Sequence, residues 1–282
     1  MSRHDLTDEE WRAIQPYLPR ERSGQPGRPW ISHRQVINGI LWVLAVGCGW
    51  RDMPSEFGKW QTVYNRFRRW RNDKLWDRVH RGLVRFNDRQ KKVDRSLWCV
   101  DGSVVRAHRV AAGPSGQHAP GSAENAHDKH ALGRSRGGFS TKLHVVTDAA
   151  GLPLAITVTP GQNHEAPEFP NVMDQLVVSL YRKEKRPAAI AGDKGYNSAK
   201  IRDWLKRRDI TAVIPTKSNQ ISQTDFNQHL YRQRNIVERV IGWLKENRRV
   251  ATRYDKRADS YLAMVKLAAI RLILKRQLRD TA

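Results

Sequence analysis

The chain has 282 residues, with 51 Lys and Arg against 28 Asp and Glu and a formal net charge of +23. This length supports a sizeable core in one large domain or two modest ones, and the basic excess favours a polyanionic partner, above all nucleic acid. Because no apolar run reaches membrane-spanning length and the first residues are polar, we predict a cytoplasmic protein with no membrane partner.

Residues 1–94 are predicted to form a series of short helices. The helices are expected at Asp5–Tyr17, where Thr7 and Glu10 form a capping box, and at Ser32–Val46, Lys59–Arg71 and Leu75–Arg89. The third helix interleaves arginines with aromatic residues, a pattern typical of a helix-turn-helix-like module that contacts DNA. The alternative is that the aromatic residues are core and the arginines form a solvated face. The candidate DNA-contacting residues are Arg66, Arg68, Arg69 and Arg71.

From Ser96 onward the apolar pattern changes to that of strands alternating with helices, which indicates an α/β fold. Strands are predicted at Leu97–Arg106, Thr141–Asp148, Leu154–Thr159, Ala188–Asp193 and Thr211–Pro215. Helices are predicted at Ala166–Arg182 and Ala199–Arg208, around Glu238 in one long helix, and at Ser260–Arg279.

Segment 108–138 is rich in Gly, Ser, Ala and His and has no periodicity, so we predict a mobile loop. Its histidines have loose spacing and no accompanying cysteine, which argues against a zinc site. They are His108, His118, His127 and His130. The two cysteines, Cys48 and Cys99, also lack metal-ligand spacing and are predicted to be buried free thiols.

Two aspartates stand in apolar strands, where an unpaired carboxylate is costly. Asp101 lies in the middle of its strand and Asp193 at the end of another. Taken alone, Asp101 could pair with a buried arginine and Asp193 could simply begin a turn. Taken together, they suit metal-dependent phosphodiester chemistry, in which carboxylates hold two Mg²⁺ ions beside the scissile phosphate.

Glu238 provides a third carboxylate in a specific context. Tyr231, Arg234, Glu238 and Lys245 follow one another at offsets of 3, 4 and 7 residues. On a helix these offsets place all of them within about one sixth of the circumference. One helix face is therefore predicted to present a carboxylate between two cations and a phenol.

These motifs together resemble the DDE transposases of bacterial insertion sequences, in the group typified by insertion sequence five. The resemblance rests on Val100-Asp101-Gly102-Ser103, on Gly192-Asp193-Lys194-Gly195-Tyr196 and on the helix spacing around Glu238. Three N-terminal stretches are similar to the helical domain of the same group, namely Leu6–Trp11, Gly27–Pro29 and Gly49–Pro54.

The resemblance implies a ribonuclease H-like catalytic core, a mixed sheet flanked by helices, at 95–282, preceded by an all-helical domain at 1–94. It implies that Asp101, Asp193 and Glu238 are catalytic and bind two Mg²⁺ ions, with Mn²⁺ as a possible substitute. It also implies DNA contacts from Tyr231, Arg234 and Lys245. Lys194 and Tyr196 are weaker candidates, and His164-Glu165 is interpreted as a helix cap or a support for the site.

The implied reaction is cleavage at terminal inverted repeats followed by strand transfer into target DNA. The implied partners are double-stranded DNA and further copies of the chain, in a homodimer or larger synaptic complex on the bacterial nucleoid. Two alternatives remain open. One is a domesticated transposase that acts as a DNA-binding repressor, and the other is a ribonuclease H-like nuclease.

Overall fold

The computed structural model describes residues 4–21, 30–112, 130–135, 137–178, 183–216 and 226–279. Most of the predicted loop, including His118 and His127, lies outside these ranges, as do Gly27–Pro29 and most of the segment between β6 and α7 defined below. In the described part of the chain, no helix is long and apolar enough to cross a membrane.

The N-terminal region is helical, as predicted. Its helices are α1 at Asp8–Ile14, α2 at His33–Val46, α3 at Trp60–Asn72 and α4 at Leu75–Arg89. The predicted capping box starts α1, because Glu10 N donates to Thr7 Oγ1 at 3.2 Å and Thr7 N donates to Glu10 Oε2 at 3.0 Å. Helix α2 ends at Gly47, whose φ of 75° is a conformation that glycine adopts without strain.

A mixed sheet follows, with helices between and after its strands. The strands are β1 at Leu97–Ala107, β2 at Gly133–Ser135, β3 at Gly138–Asp148, β4 at Pro153–Pro160, β5 at Ala189–Ala191, β6 at Thr211–Val213 and β7 at Thr252–Arg253. The helices are α5 at Glu165–Asp174, α6 at Ala199–Lys206, α7 at Gln228–Gln233, α8 at Asn235–Lys245, α9 at Arg248–Ala251 and α10 at Ala258–Arg279.

Strand β1 is central to the sheet. Along one edge it pairs antiparallel with β3, and β3 pairs antiparallel with β4 in the predicted hairpin. Along its other edge β1 pairs in parallel with β5 near its start and with β7 near its end, and β6 extends the sheet beyond β5. The predicted α/β class, a mixed sheet flanked by helices and preceded by a helical region, is confirmed.

Three predicted elements differ from the structure. Segment 108–138 is not a loop throughout, because β2 forms within it and pairs with β3. Helix α5 ends at Asp174 instead of Arg182, and it contains Pro170, which cannot donate a backbone hydrogen bond. The long helix around Glu238 is interrupted at Arg234, which ends α7 and begins α8.

The helical region packs directly on the C-terminal region. His80 Nε2 lies 2.9 Å from Pro153 O, and Arg249 Nη1 donates to Cys48 O at 2.8 Å. Buried side chains from both regions belong to one continuous hydrophobic core. The domain boundary after residue 94 stays a prediction.

Candidate active site

The register of β1 and β5 brings the two predicted aspartates to one edge of the sheet. Cys99 is the last β1 residue to pair with β5, opposite Ala191. Asp101 and Asp193 each follow two residues later on these parallel neighbours. Asp193 then caps a short turn, since its Oδ1 accepts from Gly195 N at 2.8 Å. The two carboxylates are therefore neighbours, although 92 residues apart in the sequence.

Arg234 connects Asp101 to Glu238. Its Nη1 lies 3.5 Å from Asp101 Oδ2, and its Nη2 forms an ion pair with Glu238 Oε1. The Arg234 side chain is only 14% exposed, so water screens its interaction with Asp101 weakly. Arg234 lies between α7 and α8, and its guanidinium therefore contacts one carboxylate from β1 and one from α8.

Asp101 has a strongly perturbed pKa. Burial raises the pKa from its usual 3.8 to about 6, Arg234 opposes the shift, and the nearby charges of Asp193 and Glu238 add to it. A buried carboxylate with carboxylate neighbours favours its proton because like charges repel at low dielectric. Such perturbation is typical of a functional site.

This raised pKa predicts a specific pH dependence of stability. The folded chain holds the Asp101 proton up to about pH 6 and the unfolded chain only to about pH 3.8, so stability should fall as pH rises between these values. The integrated loss is about 2 to 3 kcal/mol in the free energy of unfolding. Urea unfolding of the native chain and Asp101→Asn at pH 4, 5 and 6.5 measures it. If the free energy of unfolding changed with pH by the same amount in both proteins, the raised pKa of Asp101 would be contradicted.

Lys245 lies against the same strand. Its Nζ donates to Ser103 Oγ at 2.7 Å and to Val104 O at 3.3 Å. Burial lowers the pKa of Lys245, and the charge of Asp101 opposes that shift. The predicted cation at the end of α8 therefore stands beside β1, close to Asp101.

Tyr231 lies on α7, one turn before Arg234. The Arg234 guanidinium carbon is 5.6 Å from the centre of the Tyr231 ring, and the Phe226 ring lies 5.3 Å from the Tyr231 ring. Tyr231, Arg234 and Glu238 therefore form one contiguous group despite the interruption of the helix.

The four arginines of α3 occupy different environments. Arg66 is buried, its Nη1 donates to Ile31 O at 2.6 Å, and its guanidinium stacks on Trp30. Arg71 donates to Ser260 Oγ at 2.6 Å on α10. These two side chains make contacts within the chain, so they do not fit the alternative of a solvated arginine face, and their own DNA contacts are untested predictions. Arg68 and Arg69 are exposed, and their DNA contacts stay predictions.

Buried Lys142 and half-buried Glu165 form an ion pair that was not predicted. Lys142 Nζ donates to Glu165 Oε1 at 2.7 Å and to Asn163 O at 2.6 Å. The interpretation of His164-Glu165 as a cap or support anticipated a role for Glu165 but no partner. Lys142 carried a signal that was overlooked: like Asp101, it is a charged residue inside an apolar strand, and only 8% of it is exposed.

The described residues hold no preformed metal cage. Across that part of the chain, no three His, Cys, Asp or Glu side chains converge into a group that could hold a metal ion. Asp101 and Glu238 both turn to Arg234, while Asp193 accepts from the backbone of its own turn. The three predicted carboxylates lie near one another, but their oxygens do not converge on a common point.

Family models match most of the chain. A model described as a putative transposase of the IS4/5 family matches residues 6–80, and one described as a transposase DDE domain matches residues 92–273. The chain belongs to the DDE transposase family. Membership confirms the predicted family and implies that this transposase is an enzyme that acts on DNA and depends on divalent metal ions.

Proteins that are similar to this chain in sequence also come from bacterial insertion elements. A putative transposase for insertion sequence element IS402 from Burkholderia cepacia is 33% identical over 130 residues, covering 45% of this chain and 59% of that protein. A putative transposase for IS6501 from Brucella ovis is 29% identical over 138 residues, covering 49% of this chain and 100% of that protein. An uncharacterized 16.2 kDa protein of IS402, also from Burkholderia cepacia, is 38% identical over 118 residues, 40% of this chain and 79% of that protein.

Among solved structures, the catalytic core domain of BIV integrase aligns with a TM-score of 0.34 at 16% identity, over 67% of this chain and 99% of that one. The fold of this transposase is defined instead by its own sheet, in which the first strand carries Asp101, the parallel strand beside it leads to Asp193, and a later helix carries Glu238.

Proposed function

We propose that this transposase binds the terminal inverted repeats of its own insertion sequence, cuts them to leave 3′-hydroxyls and joins those hydroxyls to target DNA. The observation that supports this most directly is the arrangement of its three carboxylates. Asp101 and Asp193 follow a shared register position on parallel strands, and Arg234 pairs with both Asp101 and Glu238.

The donor chemistry of these residues fits Mg²⁺, with Mn²⁺ as a substitute. Carboxylate oxygens are the hard ligands that Mg²⁺ prefers. The pKa of Asp101 is raised by burial and by the charges of Asp193 and Glu238, so a cation bound among these carboxylates would relieve their repulsion. When bound, two such ions supply an activated oxygen nucleophile and neutralise charge on the leaving oxygen.

The surrounding cations would orient the carboxylates and the DNA. Arg234 would orient Asp101 and Glu238 through its two ion pairs. Lys245, anchored on Ser103, places an ammonium group beside β1 where a DNA phosphate could accept from it. Tyr231, which packs on Arg234, would position the transposon end in the same region.

Both ends of an insertion sequence must be handled together, so we infer a homodimer or a larger synaptic complex on DNA. A chain with a net charge of +23 would repel its own copies at low salt unless DNA lies between them. Assembly is therefore expected to require DNA.

The test is incubation of the purified chain with labelled inverted-repeat DNA and Mg²⁺. The expected products are 3′-hydroxyl ends and their strand-transfer joints to target DNA. Specific binding without cleavage would favour the repressor. Cleavage without strand transfer or preference for the repeats would favour the nuclease, and either result would contradict the proposal.

Arg68 and Arg69 provide a prediction for the N-terminal region. If both contact phosphates, replacing both with Gln should make the slope of log affinity against log salt concentration shallower by about 2. Each phosphate that the protein neutralises contributes about 0.9 to the steepness of that slope. Filter binding or fluorescence anisotropy from 50 to 300 mM salt measures this slope. Lys206→Gln with Arg207→Gln is the matched control, since it removes the same charge from exposed positions at the C-terminal end of α6. An equal effect of the two pairs would contradict a contact specific to α3.

A further inference from the structure

Glu165 packs on the backbone that follows both aspartates. It is the first residue of α5, and two glycines leave room for it. A Cβ on Gly102 would lie 3.0 Å from Glu165 Cγ, and a Cβ on Gly195 would lie 2.8 Å from Glu165 Oε2. Glu165 thus lies between the residue after Asp101 and the turn that follows Asp193.

The two carboxylate oxygens of Glu165 have different surroundings. Oε1 accepts from Lys142 Nζ at 2.7 Å, which neutralises that side of the group. Oε2 faces Gly195. The position of a Cβ on Gly195 would lie 2.8 Å from Glu165 Oε2 and 2.9 Å from Asp193 Oδ1. One oxygen of Glu165 is therefore occupied by a lysine, while the other converges with the carboxylate of Asp193.

A buried polar atom without a partner lies beside this group. His144 is fully buried, its Nε2 lies 2.8 Å from Thr159 Oγ1, and its Nδ1 has no hydrogen-bond partner. That Nδ1 lies 3.5 Å from the position of a Cβ on Gly102, next to Glu165. A buried nitrogen without a hydrogen-bond partner costs folding free energy. The unpaired Nδ1 of His144 therefore indicates that a polar ligand from outside the chain binds beside Glu165.

We propose that Glu165 is a fourth carboxylate of the reaction centre, which binds a divalent cation together with Asp193 while Lys142 holds its other oxygen. This inference rests on the proposed metal-dependent function and deepens it. Lys142 would serve as a positioning residue, since it reaches the cation only through Glu165. The two glycines would be required because any side chain at either position would displace the glutamate.

The alternative is that the Lys142–Glu165 pair only stabilises the start of α5. Glu165→Gln by itself leaves the Lys142 ammonium buried without a counter-charge, which can unfold a protein. The double variant Lys142→Met with Glu165→Gln avoids this problem, because it removes the carboxylate and its cation together. Glu168→Gln is the matched control, because it changes the same chemical group one turn later on α5, where Glu168 accepts from Asn171 at 3.0 Å.

The experiment is titration of the full chain with Mn²⁺ without DNA, with free Mn²⁺ followed by electron paramagnetic resonance. Affinity is expected to fall about tenfold or more in Glu165→Gln and in the double variant, the range typical for groups that support a metal site. Glu168→Gln should bind as the native chain does. Thermal unfolding of each protein verifies that the loss is measured on folded material.

Unchanged Mn²⁺ affinity in the folded double variant would overturn the role of Glu165, even if its cleavage activity fell. The proposed function fails in a different way. If the native chain took up no Mn²⁺, the metal-dependent function and this inference would both be wrong. If the native chain bound Mn²⁺ and Asp193→Asn lost it while Glu165→Gln did not, only the inference would be wrong.

Discussion

Asp101→Asn is expected to lose cleavage of inverted-repeat DNA by at least about a thousandfold, which corresponds to about 4 kcal/mol of transition-state stabilisation. Asparagine keeps the size of the side chain but removes the negative charge that the proposed divalent cation requires. Binding to the transposon end should persist, because the exposed cations of the chain are unaltered. Gel-based cleavage and mobility-shift assays on the same labelled DNA measure the two properties separately.

The control for this variant is Asp203→Asn, an identical change at an exposed position on α6. It should cut at the native rate. Asp101→Asn should also be no less stable than the native chain at neutral pH. Asp101 is ionised at that pH, and its raised pKa means that ionisation lowers the stability of the native fold. Mg²⁺-dependent cleavage retained by Asp101→Asn would remove this residue from the reaction centre.

Arg253→Met is expected to lower the free energy of unfolding by about 3 to 5 kcal/mol, since each buried acceptor left unsatisfied costs about 1 to 3 kcal/mol. The Arg253 side chain is fully buried on β7. Its guanidinium donates to five oxygens. These are His130 O, Ala131 O, Asp255 O, Lys256 O and Thr141 Oγ1. Methionine fills a similar volume but donates no hydrogen bond.

Urea unfolding measures this change, with Arg207→Met at an exposed position as the control. The effect bears on the active site because β7 pairs with Arg106 and Ala107 at the end of β1, the strand that carries Asp101. Loss of Arg253 should therefore weaken cleavage by unfolding the chain rather than by altering the chemistry. A destabilisation below about 1 kcal/mol would mean that water replaces the lost hydrogen bonds.

Local patterns predicted well where the physics is local. The capping box of Thr7 and Glu10 depends on residues three apart, and it forms as expected. The hairpin of β3 and β4 follows from two apolar runs joined by a short turn at Gly151, whose φ is 82°. In both cases the interacting groups are neighbours in the sequence, so the pattern itself contains the contact.

Some predictions failed because a residue's partner is distant in the sequence, and others because composition obscured a local contact. The alternative of a solvated arginine face on the third helix failed at Arg71, which donates to Ser260, 189 residues away. Composition indicated a loop at 108–138, yet β2 forms there because the edge of β3 offers it backbone partners. No local pattern could contain the contact between Arg71 and Ser260. The pairing of β2 with β3 is local, since Ser135 pairs with Gly138, but the Gly- and Ser-rich composition of the segment obscured it.

The sequence alone identified the family, the α/β class and the residues proposed for catalysis, because an aspartate inside an apolar strand and four functional groups at helical spacing are costly or improbable without a purpose. Only the tertiary structure decided how these groups meet. It placed Arg234 against Asp101, and it brought Glu165, which pairs with Lys142, beside Asp193. Strand register and helix packing set these distances, and both depend on contacts across the whole fold.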